Sequence, residues 1–107
     1  MEKEFLHYII DFTNVETYFD MHFVIRDGLD FPDYYGCNWS AFWDCLSDMY
    51  GYIIHIEIIG LDVVERKFGD SAYKMMGILK RFKTKYPEYY DDITIEIVHG
   101  SARIKVE

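Results

Sequence analysis

The pattern of hydrophobic and polar positions predicts β-strands that alternate with α-helices along the chain. Strands are predicted where apolar, β-branched residues cluster or alternate, at 5–10, 52–59 and 93–97. Helices are predicted where apolar positions keep helical spacing, at 13–26, 39–49, 61–68 and 71–86. The Gly100-Ser101 pair predicts a turn into a short extra strand at 104–106.

Capping signals give the predicted ends of two helices. The run Thr13-Asn14-Val15-Glu16 has the form of a capping box and predicts that the first helix opens there. Gly28 is placed to end that helix, because glycine accepts the backbone conformations that follow a last helical turn. After a predicted turn at 33–36, Asn38 is a good N-cap for the helix that starts at Trp39.

This order of elements predicts an α/β fold. Strands that are separated by helices are expected to join a parallel sheet through right-handed crossovers. We therefore expect a small three-stranded parallel sheet packed with helices, with a possible antiparallel edge strand at the C-terminus. A chain of 107 residues is long enough for one core, so residues 1–107 are predicted to form a single domain.

Composition narrows the classes of partner. The net charge of -8 argues against a protein that binds nucleic acid or an anionic membrane with its whole surface. No signal peptide and no transmembrane span is apparent, and Cys37 and Cys45 have the spacing of neither a disulfide framework nor a four-ligand zinc site. We expect a cytoplasmic, monomeric protein with free thiols, no cofactor and no metal.

One acidic stretch stands out from the rest of the chain. The positions from Asp27 to Glu65 contain eight carboxylates and no Lys or Arg, and they include several Tyr and Trp. Acidic groups beside aromatic side chains suit a basic protein partner, because charge steers the encounter and aromatic rings supply buried contact area.

The helix from Trp39 divides into two faces when its side chains are placed at helical angles. Its apolar side chains fall on one arc, which is expected to pack on the sheet: Trp39, Phe42, Leu46, Met49 and Tyr50. The opposite arc carries Ser40, Asp44, Ser47 and Asp48, with Trp43 at the border. That arc is either a solvated surface, as most exposed carboxylates are, or the surface that meets a partner.

Two runs in this region are specific enough to compare with a known family: Phe31-Pro32-Asp33-Tyr34-Tyr35-Gly36-Cys37-Asn38 and Ala41-Phe42-Trp43-Asp44-Cys45-Leu46. They resemble the barstar family of intracellular ribonuclease inhibitors. The resemblance implies a three-stranded parallel sheet with helices, and a loop and acidic helix that plug the active site of a secreted microbial ribonuclease. It implies contact roles for Tyr34, Tyr35, Asn38, Trp43 and Asp44, with Asp44 in the phosphate-binding region of the enzyme.

The predicted partner-binding surface is the loop and the polar arc of the helix together. It comprises Asp33, Tyr34, Tyr35, Gly36, Asn38, Ser40, Trp43, Asp44, Ser47 and Asp48. The expected partner is a basic protein, a secreted ribonuclease or a related toxin, with no direct binding of nucleic acid and no membrane.

The chain departs from the family pattern at positions that bear on the partner. Ser40 stands where the family usually has an acid, Trp39 stands where Leu is usual, and the late-helix acid of the family aligns near Lys80 and Arg81. The alternative is therefore an immunity or interaction module on the same scaffold that binds a non-ribonuclease toxin or another basic protein partner. The seven Lys and Arg between Arg66 and Lys85 are interpreted as a solvated helix face.

An enzyme is the competing class of function. Cys37 or Cys45 with one of the four His residues, at 7, 22, 55 and 99, could supply a thiol nucleophile and a base. However, Cys45 lies on the packed side of its helix, and no base stands at motif spacing from Cys37. We interpret the chain as a binding protein without catalytic residues.

Overall fold

Four strands form one mixed sheet in the computed structural model, which describes residues 3–107. The strands are β1 (Phe5–Asp11), β2 (Ile53–Ile59), β3 (Ile93–His99) and β4 (Ala102–Lys105). The helices are α1 (Tyr18–Gly28), α2 (Trp39–Ser47), α3 (Leu61–Lys67), α4 (Ser71–Thr84) and a 3-10 helix (Pro87–Asp92). The order is β1-β2-β3-β4, with the first three strands parallel and β4 antiparallel. The predicted α/β fold is confirmed, and the possible edge strand is present.

The sheet is buried on one face and open on the other. Its inner face is lined by buried apolar side chains from the three parallel strands: Ile10, Ile54, Ile56, Ile58, Ile93 and Ile95. On the outer face, Phe5 is 61% exposed and Ile9 is 49% exposed. Two right-handed crossovers in one direction place all their helices on the same side of a sheet. The shortest dimension of the molecule, 19 Å, fits these two layers.

Helix α1 starts later than the sequence pattern predicts. The capping box uses Thr17 and Asp20: the Thr17 hydroxyl accepts from the Asp20 amide at 3.1 Å, and the Asp20 carboxylate accepts from the Thr17 amide at 3.0 Å. The predicted box at Thr13 and Glu16 is wrong, because the Asp11 carboxylate accepts from the Thr13 amide at 2.9 Å. Residues 13–16 therefore form a connection between β1 and α1.

Gly28 is the last residue of α1, but the glycine is required by packing and not by a left-handed conformation. A Cβ atom there would lie 2.9 Å from the carbonyl oxygen of Ile9 and 3.2 Å from the Cα of Ile10. The end of α1 thus lies directly against β1. The left-handed turn after the helix is made by Asp30, with φ of 55°.

The interpretation of the Lys and Arg residues between Arg66 and Lys85 as a solvated helix face is wrong at one position. Lys83 of α4 is buried, and its ammonium group donates to the carbonyl oxygens of Tyr90 at 2.9 Å and of Ile93 at 2.5 Å. These bonds connect α4 to the start of β3.

No helix in residues 3–107, α4 included, is long and apolar enough to cross a membrane.

We expect Gly28→Ala to destabilise the fold by about 1–3 kcal/mol, because the new methyl group meets backbone atoms that cannot rotate away. Gly77→Ala is the matched control, since it is also a helical glycine but has no atom within 4 Å of the added Cβ. It should stabilise by about 0.5–1 kcal/mol. Urea unfolding of both variants measures the difference, and equal effects would contradict the packing argument.

Candidate functional site

The loop between α1 and α2 has a backbone that is fixed by its own hydrogen bonds. The Phe31 amide donates to the carbonyl oxygen of Arg26 at 2.8 Å, and the Tyr35 amide donates to that of Pro32 at 3.0 Å. Cys37 has a left-handed conformation with φ of 52°. We call residues 30–48, which comprise this loop, α2 and its C-cap, the loop–helix segment.

An aromatic cluster supports the loop from the inside. Tyr35 is only 6% exposed, and its hydroxyl lies 2.7 Å from Nδ1 of His22 on α1. His22 is fully buried, and its ring centroid lies 4.8 Å from those of Tyr18 and Trp39. Phe31 packs against Tyr35 from the other side, with centroids 5.4 Å apart. The structure thus places Tyr35, a predicted contact residue, inward, where it anchors the loop.

Tyr34 points the other way. Its side chain is 81% exposed, and its neighbours Pro32, Asp33 and Gly36 are exposed as well. An aromatic ring that is so exposed contributes little to the core, whereas it can contribute a large apolar area to a protein interface. Tyr34 is therefore the most prominent apolar feature on the outer surface of the loop.

Helix α2 presents its polar arc to solvent, as its periodicity predicts. The Asn38 side chain accepts from the Ala41 amide at 2.8 Å, which confirms the predicted N-cap. Phe42 and Leu46 are fully buried. The predicted outward positions are distributed as follows: Ser40, Asp44 and Asp48 are exposed, and Ser47 and Trp43 are half-buried.

Three exposed carboxylates of the segment form no side-chain hydrogen bond or ion pair within the described part of the chain. No ion pair or side-chain hydrogen bond among residues 3–107 involves Asp33, Asp44 or Asp48. Their negative charge is therefore directed at solvent. A partner with basic groups can pair with these carboxylates without first breaking bonds inside this chain.

Trp43 is flanked by two basic residues that sequence reasoning did not connect with it. The Arg81 guanidinium carbon lies 4.3 Å from a ring centroid of Trp43, and the Lys85 ammonium lies 5.2 Å from it. These are cation–π distances. Their four-residue spacing already predicts that Arg81 and Lys85 lie on one face of α4. That this face contacts Trp43 is evident only from the packing of α4 against α2. The acidic surface of α2 thus borders a basic one.

No hydrogen bond joins a thiol to an imidazole in residues 3–107. Cys37 and Cys45 are half-buried and free, and Sγ of Cys37 donates to the carbonyl oxygen of Tyr35 at 3.8 Å. Burial raises the pKa of the Cys45 thiol, which disfavours the reactive thiolate. His22 is bonded to Tyr35 instead of to either thiol. The geometry therefore favours a binding surface over a catalytic site.

Comparison with known proteins agrees with this geometry. The model of the family described as Barstar (barnase inhibitor) matches residues 5–98. The chain belongs to the barstar family. A similar protein from Bacillus subtilis (strain 168) has the name "Putative ribonuclease inhibitor YrdF". It is 54% identical over 37 residues, which are 35% of this chain and 37% of the relative.

The family to which the chain belongs is one of inhibitors and not of enzymes. The match with the relative covers little more than a third of either chain. The family model covers β1, β2, the loop–helix segment and all of β3 except its last residue, His99.

We expect the stability of this barstar-family protein to fall between about pH 6.5 and pH 4 through His22. Burial lowers the pKa of His22 from 6.5 to about 4, because the charged imidazolium loses its hydration. The unfolded chain therefore binds a proton at a higher pH than the folded one. This stabilising contribution is complete above pH 6.5, and roughly 3 kcal/mol is lost by pH 4.

Urea unfolding at a series of pH values measures this contribution. The variant His22→Gln has a side-chain amide that can still bond to Tyr35 but does not titrate. Its free energy of unfolding should therefore fall less between pH 6.5 and pH 4 than that of the parent, by the contribution of His22. Parallel curves for the two proteins would show that His22 is not the group responsible.

Proposed function

We propose that the chain blocks the active site of a basic, secreted microbial ribonuclease through the outer surface of the loop–helix segment. The observation that carries this proposal is the exposure of Asp44 on α2 and of Tyr34, 81% exposed, in the loop before it, both in the loop–helix segment of a chain of the barstar family. We further propose that it does so as a monomer in the cytoplasm.

Physical chemistry supports an acidic helix as the inhibitory element. A ribonuclease active site needs Arg, Lys and His side chains to hold the phosphate of RNA. A carboxylate on a rigid helix can pair with those groups and fill the space that RNA would occupy. The Asn38 cap and the buried side chains Phe42 and Leu46 hold α2 in place, so the backbone at Asp44 loses little conformational entropy on binding.

The proposed surface has a centre and a rim. Tyr34 supplies the aromatic contact area, and Asp44 supplies the central charge. Around them lie the smaller or more peripheral groups Asp33, Gly36, Asn38, Ser40, Ser47 and Asp48. Trp43 closes one side, where Arg81 and Lys85 stack on it. Tyr35 contributes by holding the loop in shape, because its side chain is buried.

The basic border of this surface constrains the partner. Arg81 and Lys85 on Trp43 would repel a uniformly basic protein surface at that edge. The partner is therefore proposed to place a carboxylate or a neutral polar group opposite these two residues, next to its basic cleft. This distinguishes the cognate enzyme from one whose whole contact surface is basic.

A second candidate is a toxin of another class bound by the same surface. The observation that favours it is Ser40, an exposed neutral residue one turn before Asp44, where the family usually has an acid. With one carboxylate fewer and a basic border, the surface offers less charge to a phosphate-binding cleft. The choice between the candidates depends on whether ribonuclease inhibition is observed.

We expect Asp44→Ala to weaken binding to the cognate ribonuclease by about 2–5 kcal/mol, because basic groups of the enzyme would be left buried and unpaired. That range is the general one for truncating a buried charge pair, and the barnase–barstar complex is among the cases behind it. Titration of RNA cleavage against inhibitor concentration measures the loss. Asp48→Ala, at the rim, should cost less.

Matched controls make this test specific. Asp91→Ala removes an exposed carboxylate on the 3-10 helix, outside the proposed surface. Tyr34→Ala can be compared with Tyr73→Ala, since Tyr73 on α4 is 83% exposed and Tyr34 is 81% exposed. Asp91→Ala and Tyr73→Ala should inhibit as the parent does. Equal losses in the test and control variants would place the contact surface elsewhere.

We expect Ser40→Asp to strengthen inhibition of a barnase-type ribonuclease by at least about tenfold, with a larger dependence on salt. The coupling energies behind this figure come from the barnase–barstar complex. The added carboxylate would lie one helical turn before Asp44 and reach the same cleft. No gain, in a variant that folds normally, would contradict a ribonuclease of that type as the partner and favour the second candidate.

A further inference from the structure

The open face of the sheet carries a cluster of side chains that the inhibitory surface does not use. His7 on β1 and His55 on β2 are direct neighbours in the strand register. Their imidazole rings are stacked, with centroids 4.8 Å apart and an interplanar angle of 17°. Both point away from the helices, on the side of the sheet opposite the buried Ile residues.

A carboxylate lies beside these two rings and is bonded to one of them. Glu57 follows His55 by two residues on β2 and therefore lies on the same face of the sheet. Its Oε2 lies 3.1 Å from Nε2 of His7. One potential ligand atom from each of His7, His55 and Glu57 lies within 4.8 Å of the others. In residues 3–107 this is the one group of three or more His, Cys, Asp or Glu side chains gathered this closely.

Further polar groups hold these side chains in position. Nε2 of His55 lies 2.5 Å from a carboxylate oxygen of Glu96, the next residue across the sheet from Glu57. A His55 ring that carries its proton on Nε2 keeps a lone pair on Nδ1. Arg103 donates to Oε1 of Glu57 and leaves Oε2 on the side of His7. Carboxylates and hydrogen-bond donors orient metal ligands in proteins in this way.

We propose that His7, His55 and Glu57 bind a divalent zinc ion on the open face of the sheet. Two imidazoles and one carboxylate match the ligand preference of Zn²⁺, whereas Mg²⁺ and Ca²⁺ prefer oxygen ligands alone. Three protein ligands leave the fourth position of a tetrahedral site to water. Glu96 and Arg103 act as orienting groups for His55 and Glu57.

The adjustment that the ion requires is within reach of the side chains. Tetrahedral Zn²⁺ with bonds of about 2.0–2.1 Å separates its ligand atoms by about 3.3 Å, so the longest separation must shorten by about 1.5 Å. The side chain of His7 is 45% exposed, and it can change its rotamer without disturbing the core. Glu57 is held by Arg103 and His55 by Glu96, so these two side chains need move less.

The ion would also offset an electrostatic cost in the sheet. Glu57 and Glu96 are paired across β2 and β3 and are 7% and 9% exposed, respectively. Like charges on directly neighbouring strand positions repel each other, and burial strengthens that repulsion. A cation bound between β1 and β2 would add its positive charge to that of Arg103 and Lys105 on β4. It would also link the edge strand β1 to the centre of the sheet.

Isothermal titration with Zn²⁺ alone, on the full chain freed of chelators, tests the proposal. We expect one ion per chain. His7→Ala should weaken binding by at least about 100-fold, and Glu96→Gln by about 10–100-fold. His99→Ala is the matched control, because His99 is an exposed His of β3 outside the cluster and its loss should leave binding unchanged.

Thermal unfolding with and without Zn²⁺ gives an independent readout. The ion should raise the melting temperature of the parent and of His99→Ala but not that of His7→Ala. Because His7 is half exposed, its variant is expected to fold, and urea unfolding checks this. Absence of zinc binding to the parent, or equal binding by the parent and His7→Ala, would overturn the proposal.

Discussion

One-sided burial of the sheet is the constraint on which the rest of the molecule depends. The inner face of β2, with Ile54, Ile56 and Ile58, can leave water only if helices cover it. Both crossovers place their helices on that side. Helix α2 is therefore held by its apolar arc, and its polar arc remains outside. The same constraint leaves the opposite face of the sheet without a covering layer.

The shape of the loop depends on a buried polar contact. The bond between His22 and Tyr35 ties the loop to α1, and the rings of Phe31 and Trp39 enclose it. Because His22 stays neutral in this environment, the loop is fastened without burying a charge. With Tyr35 fixed inside, the preceding residue, Tyr34, lies on the outer surface of the loop. The inner contact and the outer surface of the loop are thus two consequences of one local arrangement.

The sequence could predict the elements whose signals are local. Strand alternation, the Asn38 cap and the two arcs of α2 depend on neighbouring residues, and the structure confirms them. The position of the α1 cap failed, because Asp11 binds Thr13 from outside the predicted box. The contact of Arg81 with Trp43 and the pairing of His7 with His55 depend on helix packing and strand register. No spacing along the chain encodes either of them.

Inhibitory binding through the outer surface of the loop–helix segment is the central claim, and hydrogen exchange on the complex tests it most directly. Amide exchange would be measured for the chain alone and with a saturating amount of a barnase-type ribonuclease. The account predicts slower exchange at residues 32–48 and at the end of α4 near Arg81, with little change in β1 and β4. Protection confined to the open face of the sheet would contradict it.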